Sequence, residues 1–234
     1  MHRVLGFDTS TAHLTVAVTA SGEALAEREV EPDATGRPRH ARQLLEAVES
    51  ALEETGGWES VDLIAVGAGP GTFTGLRIGI STARALAQAR ELPVAAVSSL
   101  RVLAEGARDG AAGPILAVLD AKRQEAFAAL FGATGEERWE PWVGAPAELS
   151  GRIAKLPDPP LAVGDGAVRF RAEFEASGAR VPPDADPRHR LYARHVCRLA
   201  EDTAAEPIAE IKPTYLRRPD AELWRERDRG PTQS

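Results

Sequence analysis

The chain has 234 residues, 43% of them hydrophobic, enough for one large domain or two smaller ones with separate cores. No window approaches the run of ~20 apolar residues that a membrane span needs, and the start MHRVLGFDTS lacks the apolar stretch of a secretory signal; Cys197 is the only cysteine, which excludes an intrachain disulfide or a cysteine-rich zinc site and suits the cytoplasm. A formal charge of −7 and a pI near 5.4 argue against a free-standing nucleic-acid binder, which needs a net basic face.

Val4–Phe7 is a short apolar run ending at Asp8; after Thr9-Ser10-Thr11 a β-rich pattern resumes at Leu14–Val18, and Ser21-Gly22 turns into a third strand, Glu23–Val30. From His40 the apolar residues Ala41, Leu44, Leu45, Val48, Ala51 and Leu52 follow helical spacing, with glutamates opposite and Gly56-Gly57 as the stop. Val61–Gly67 reads as a strand covered on both faces. A glycine-rich turn and a helix from about Thr74 to Arg90 follow, then a second buried strand, Val94–Val97, and Ser98-Ser99 as N-caps of another helix. This order builds a mixed sheet with helices on its faces.

After residues 110–114 the pattern restarts. Ile115–Leu119 is an apolar strand ending in Asp120, 121–124 turns, and Glu125–Phe131 returns, so that Asp120 mirrors Asp8. Further on come a strand near Arg138–Val143, a helix Ala147–Lys155, the strand Leu161–Val163 before Gly164-Asp165-Gly166, and helices near Val168–Ala176 and His189–Ala200. Two related α/β halves result, 1–108 and 109–211, followed by a charged tail, 212–234, whose alternating signs suggest an exposed helix or arm.

The string GAGPGTFTGLRIG places Gly67, Gly69, Gly71, Gly75 and Gly79 around a strand-to-helix junction. Glycines there permit either close approach of a phosphate to backbone or tight helix-on-sheet packing, and Thr72 and Thr74 can cap the helix. The spacing is neither a Walker A loop nor the dinucleotide fingerprint. His189 and His195 do not share one face at ligand spacing and read as surface histidines. Ser98-Ser99 are explained as caps, and no nucleophile elbow is present.

GAGPGTFTGLRIG resembles the signature of the TsaB family, and the likeness extends over nearly the full length. LGFDTSTAHLTVAV is similar to that family's first hairpin, ILAVLDAKRQEAF to its second (where an arginine often replaces Lys122 and a glycine Gln124), and VSSLRVL, Gly164-Asp165-Gly166 and PTYLRRPDAE match as well. The resemblance implies an α/β fold of the actin-, hexokinase- and Hsp70-like superfamily with two ribonuclease-H-type lobes. It makes Asp8, Thr9, Ser10 and Asp120 candidates for a residual nucleotide site; the alternative is that Asp8 and the hydroxyls satisfy turn backbone.

The resemblance further implies a non-catalytic subunit of the machinery that makes threonylcarbamoyladenosine in tRNA. Such a subunit pairs with the catalytic relative TsaD, helps recruit the ATPase TsaE, meets tRNA through the complex, and forms a homodimer when alone. TsaD holds a metal through paired histidines on the helix after its meander; here that helix begins His40-Ala-Arg-Gln-Leu44, with no second histidine at i+4 and hence no ligand pair. No catalytic residue and no metal ligand is expected, and ATP or ADP with magnesium is expected mainly on the partners. Candidate interface residues are Leu44, Leu45, Val48, Leu76, Ile80 and Ala83, at least half of which must be ordinary core. The competing reading is an independent ATP-dependent phosphotransferase or ATPase using Asp8 and Asp120; a metalloprotease is disfavoured by the absent histidine pair.

Overall fold

The computed structural model describes residues 2–217. Strands β1 (Arg3–Asp8), β2 (Leu14–Ala20) and β3 (Glu23–Val30) form the expected antiparallel meander, with Leu5 opposite Val18 and Phe7 opposite Val16. After helix α1 (His40–Glu53), strand β4 (Leu63–Gly69) pairs in parallel with β1; after α2 (Phe73–Arg90), β5 (Val94–Ser98) extends the sheet to the order β3-β2-β1-β4-β5. Side chains alternate across such a sheet. Leu5, Phe7, Val16, Val18, Ile64 and Val66 bury themselves against α1 and α2, while Val4, Ala17, Leu63, Ala65 and Val97 face the other way. That is why the central strands read as unbroken apolar runs.

The second half repeats the plan. Strands β6 (Ile115–Lys122), β7 (Glu125–Phe131) and β8 (Glu137–Gly144) are antiparallel, and β9 (Leu161–Val163) pairs in parallel with β6 to give β8-β7-β6-β9. Asp8 and Asp120 are each the sixth residue of the first strand of their sheet. Helices α4 (Pro146–Ile153), α5 (Asp165–Arg169) and α6 (Arg171–Ala176) cover the outer face, over Leu116, Val118, Ala128 and Leu130. Between the two sheets lie α3 (Ser99–Gly106) and α7 (Ala193–Glu201), whose apolar residues join one core with the inner faces of both. Helix α7 thus packs on the first sheet. Gly6 makes room on β1 for Cys197 of α7, and complete burial pushes that thiol up to about 12.

Several boundaries differ from the sequence reading. The strand expected at Val61 begins at Leu63, because the Asp62 carboxylate is taken by Arg3 N at 2.7 Å. The helix expected over Val168–Ala176 starts earlier and breaks at Phe170, which leaves helical geometry (φ −108°, ψ 26°) and packs edge-on against Phe174. The helix expected from His189 starts at Ala193, since the His189 ring is pinned by Gly164 N at 3.1 Å and Pro182 O at 3.1 Å. His189 is therefore buried rather than a surface histidine. The turn 122–124 holds three consecutive non-glycine residues, Lys122, Arg123 and Gln124, at positive φ of 62°, 51° and 61°. Of the expected charged tail, residues 212–217 run over the first sheet, with Thr214 N on Ala68 O at 2.8 Å, and residues 218–234 lie outside the described residues. Among the described residues no helix is long and apolar enough to cross a membrane.

His195, likewise expected at the surface, sits half-buried where α7 meets Gly106 of α3. Burial lowers its pKa to about 4, helped by Arg194 and Arg198 and opposed by Glu105 and Asp109. The unfolded ring titrates near 6.5. Above that pH both states are neutral; as pH falls from 6.5 to 4 the unfolded chain takes up a proton that the folded one refuses, and stability is lost over that window by up to ~3 kcal/mol. Urea titrations across this range should show a flatter pH dependence for His195→Gln than for the parent chain.

Candidate functional site

The glycine junction is built against the loop that joins β1 to β2. Asp8, at the end of β1 and 1% exposed, accepts hydrogen bonds from Ser10 N through Oδ1 (2.6 Å) and from Ser99 Oγ through Oδ2 (2.8 Å). Thr9 Oγ1 donates to Gly75 O at 2.7 Å, and Ser10 O accepts from Thr72 N at 2.7 Å. The side chains missing from the junction are replaced by this loop. A Cβ at Gly67 would overlap the Asp8 carboxylate, one at Gly71 would meet Ser10, one at Gly75 the Thr9 carbonyl, and one at Gly79 the Thr9 hydroxyl. Gly69, at φ 101°, precedes a cis bond to Pro70, and its N–H donates to Ser99 Oγ at 3.3 Å. The strip next to the α-carbons of these glycines is filled by the chain's own β1–β2 loop.

Two tethers escaped the sequence reading. Ser98 caps α3 as expected, accepting from Arg101 N at 3.4 Å, but Ser99 is not a cap: it is fully buried and ties Asp8 to Gly69. No local pattern distinguishes two adjacent serines; only the contact with a residue 91 positions away does. His40, 2% exposed, uses Nε2 on Thr11 O at 2.8 Å to hold the loop to the start of α1, and burial lowers its pKa. Beside it the buried Ser10 Oγ, His40 Nδ1 and Gln43 Oε1 have no protein partner among the described residues. Thr72 stands at the N-cap of α2 without a side-chain cap bond, and Thr74 is exposed, so neither caps as expected.

Removing the Ser99 hydroxyl strands one Asp8 oxygen in a buried setting. Ser99→Ala should cost about 2–3 kcal/mol, against about 1 kcal/mol for the cap variant Ser98→Ala. Chemical denaturation of the two variants side by side checks the ranking.

Asp120 occupies the matching place in the second sheet with a different set of partners. Its carboxylate takes Lys122 N (2.9 Å), Lys122 Nζ (2.8 Å) and Arg169 Nη1 (2.8 and 2.9 Å), while its own N–H donates to Asp165 Oδ1 at 2.9 Å. Burial opposes its ionisation, yet Lys122 and Arg169 prevail and hold the carboxyl below its ordinary range. Asp8 and Asp120 share no hydrogen-bond partner among the described residues. Near them a cavity of about 230 Å³ opens between the β1–β2 loop and α5, lined by Thr11, His13, Asp165, His189 and Arg190. Among the described residues no cluster of three metal-ligating side chains occurs.

The six interface candidates separate sharply. Leu44, Val48, Leu76, Ile80 and Ala83 are at most 4% exposed because they face the first sheet, and in this fold they cannot meet a partner. Leu45 alone points outward, 55% exposed. Next to it the outer faces of α1 and α2 form a shallow groove of about 510 Å³ lined by Ala41, Phe73, Arg77, Ile78 and Ser81. Phe73 is itself 39% exposed and stacks on Tyr215 with ring centres 5.4 Å apart.

Residues 22–223 match the family model described as TsaD, tRNA N6-adenosine threonylcarbamoyltransferase. The solved structure of YeaZ from Pseudomonas aeruginosa is 28% identical and superposes with a TM-score of 0.74, covering 92% of this chain and all of the other. The chain belongs to the TsaB (YeaZ) family. It is 37% identical to the tRNA threonylcarbamoyladenosine biosynthesis protein TsaB of Escherichia coli over 127 residues, 53% of each chain, so the match spans about half the length of that relative. An uncharacterised protein of Mycobacterium tuberculosis is 34% identical over 93% of both chains. The fold is that of the TsaB family: two mixed sheets flanked by helices.

Proposed function

We propose that this TsaB-family chain is a non-catalytic subunit in the synthesis of tRNA threonylcarbamoyladenosine, a cytoplasmic protein that pairs with a TsaD-type transferase. It helps recruit a TsaE-type ATPase, meets tRNA through the assembly, and self-associates when alone. The observation that carries the non-catalytic part is the filled junction: Gly67, Gly71, Gly75 and Gly79 are each covered by Asp8, Thr9 or Ser10, and both Asp8 oxygens are engaged. A working phosphate site would leave backbone N–H groups facing a ligand. Here the chain's own loop takes that place, and any nucleotide with magnesium belongs mainly to the partners.

The outer groove of α1 and α2 supports the pairing, since an exposed apolar surface rimmed by polar groups is the usual mark of a contact site. The test combines two assays. The isolated chain should show negligible ATP turnover, unchanged by Asp8→Asn, while adenosine modification by TsaD and TsaE with ATP should depend on its presence. Turnover by the isolated chain that Asp8→Asn abolishes would favour the phosphotransferase alternative and overturn the proposal.

A further inference from the structure

A second cavity, of about 200 Å³, lies between α3 and α7 and shares no residue with the glycine junction. Phe131, in its wall, pairs with Ile115 at the end of β6 away from Asp120, which sets it far along the sheet from the Asp120 cluster. Three guanidinium groups line it, those of Arg101, Arg108 and Arg198. Glu105, 6% exposed, accepts from Arg108 Nη1 at 2.8 Å through Oε2 and pairs through Oε1 with Arg198 Nη1. One buried carboxylate therefore hydrogen-bonds one guanidinium and is ion-paired with a second. Arg101 stands one helical turn before Glu105, is exposed, and has no side-chain partner among the described residues.

Among the described residues the only other acid in the wall is Asp202, so three cations face two carboxylates in a chain whose formal charge is −7. A structural cross-link between α3 and α7 accounts for Arg108, Glu105 and Arg198, but not for Arg101 or for the space.

We infer that this cavity is a binding site for a terminal phosphate group, whether of free phosphate, pyrophosphate or a phosphomonoester. The planar fork of arginine matches phosphate oxygens in pairs. The Arg108 guanidinium, already held by Glu105, loses little freedom when an anion arrives, and Arg198 and Arg101 supply charge that Glu105 does not neutralise. The volume admits a small anion and its first waters.

The test is calorimetric titration of the full chain with inorganic phosphate, pyrophosphate and adenosine monophosphate at constant ionic strength, with acetate as the comparison anion. Saturable binding of phosphate is expected, about tenfold weaker in Arg101→Gln, weaker also in Arg198→Gln, and unchanged in Arg180→Gln, an exposed arginine outside the cavity. Equal binding of acetate, or an unchanged phosphate affinity in Arg101→Gln, overturns the assignment. The parent chain's failure to bind phosphate does the same, while leaving the proposed role in the tRNA-modification assembly untouched.

Discussion

Gly75→Val should lower the stability of the chain by about 3 kcal/mol or more, a fall in melting temperature on the order of 6–12 °C for a protein of this size. The reason is position and not propensity. A β-carbon at residue 75 would overlap the Thr9 carbonyl oxygen and lie 2.6 Å from Thr72 Oγ1, so either α2 or the β1–β2 loop must move. Moving the loop loosens Thr9 Oγ1 from Gly75 O and Thr72 N from Ser10 O, the contacts that lock helix to hairpin. Gly151, within α4, is the control, since a β-carbon there meets nothing within 4 Å. Gly151→Ala should stabilise by about 0.5–1 kcal/mol through helix propensity. Thermal melts of both variants decide whether the glycines of the signature string are there for packing; equal and small effects would mean that the junction is slack.

Much of the fold was legible because the apolar strand runs, the turn residues between them and the helical spacing of α1 are strong signals. The β3 span follows from the Ser21-Gly22 turn and the start of α1 from the Leu44, Leu45, Val48, Leu52 spacing, and the continuous runs in β1, β4 and β6 reflect helices on both faces of each sheet. The repeat was visible as well, since Asp8 and Asp120 end matching apolar runs. What stayed hidden is what depends on distant residues. Nothing near Ser99 says that its hydroxyl meets Asp8, and nothing near His189 says that its ring is held by Gly164 and Pro182, which ends the helix expected there. The break at Phe170 is set by aromatic packing rather than by a helix-breaking residue. The site itself was half legible. The glycines marked a close approach, but the sequence does not say whether a phosphate or the chain's own loop makes it.

Leu44 and Leu45 let neighbouring residues separate core from contact surface. Leu44→Ala empties a side chain 2% exposed among Val48, Val16 and Val18, and should cost about 2–5 kcal/mol. A protein weakened in this way loses every function together. Leu45 is 55% exposed, and pairing Leu45→Glu with Ser81→Glu places charge on the outward faces of both α1 and α2 without disturbing either core. The double variant should melt within about 0.5 kcal/mol of the parent while the proposed binding to a TsaD-type partner, and the proposed self-association, weaken about a hundredfold, the loss expected when an apolar contact centre must bury charge. Sedimentation gives the second quantity and co-purification with TsaD the first. Retention of both by a fully folded double variant would move the contact surface away from α1 and α2, and the groove they form would then need another occupant.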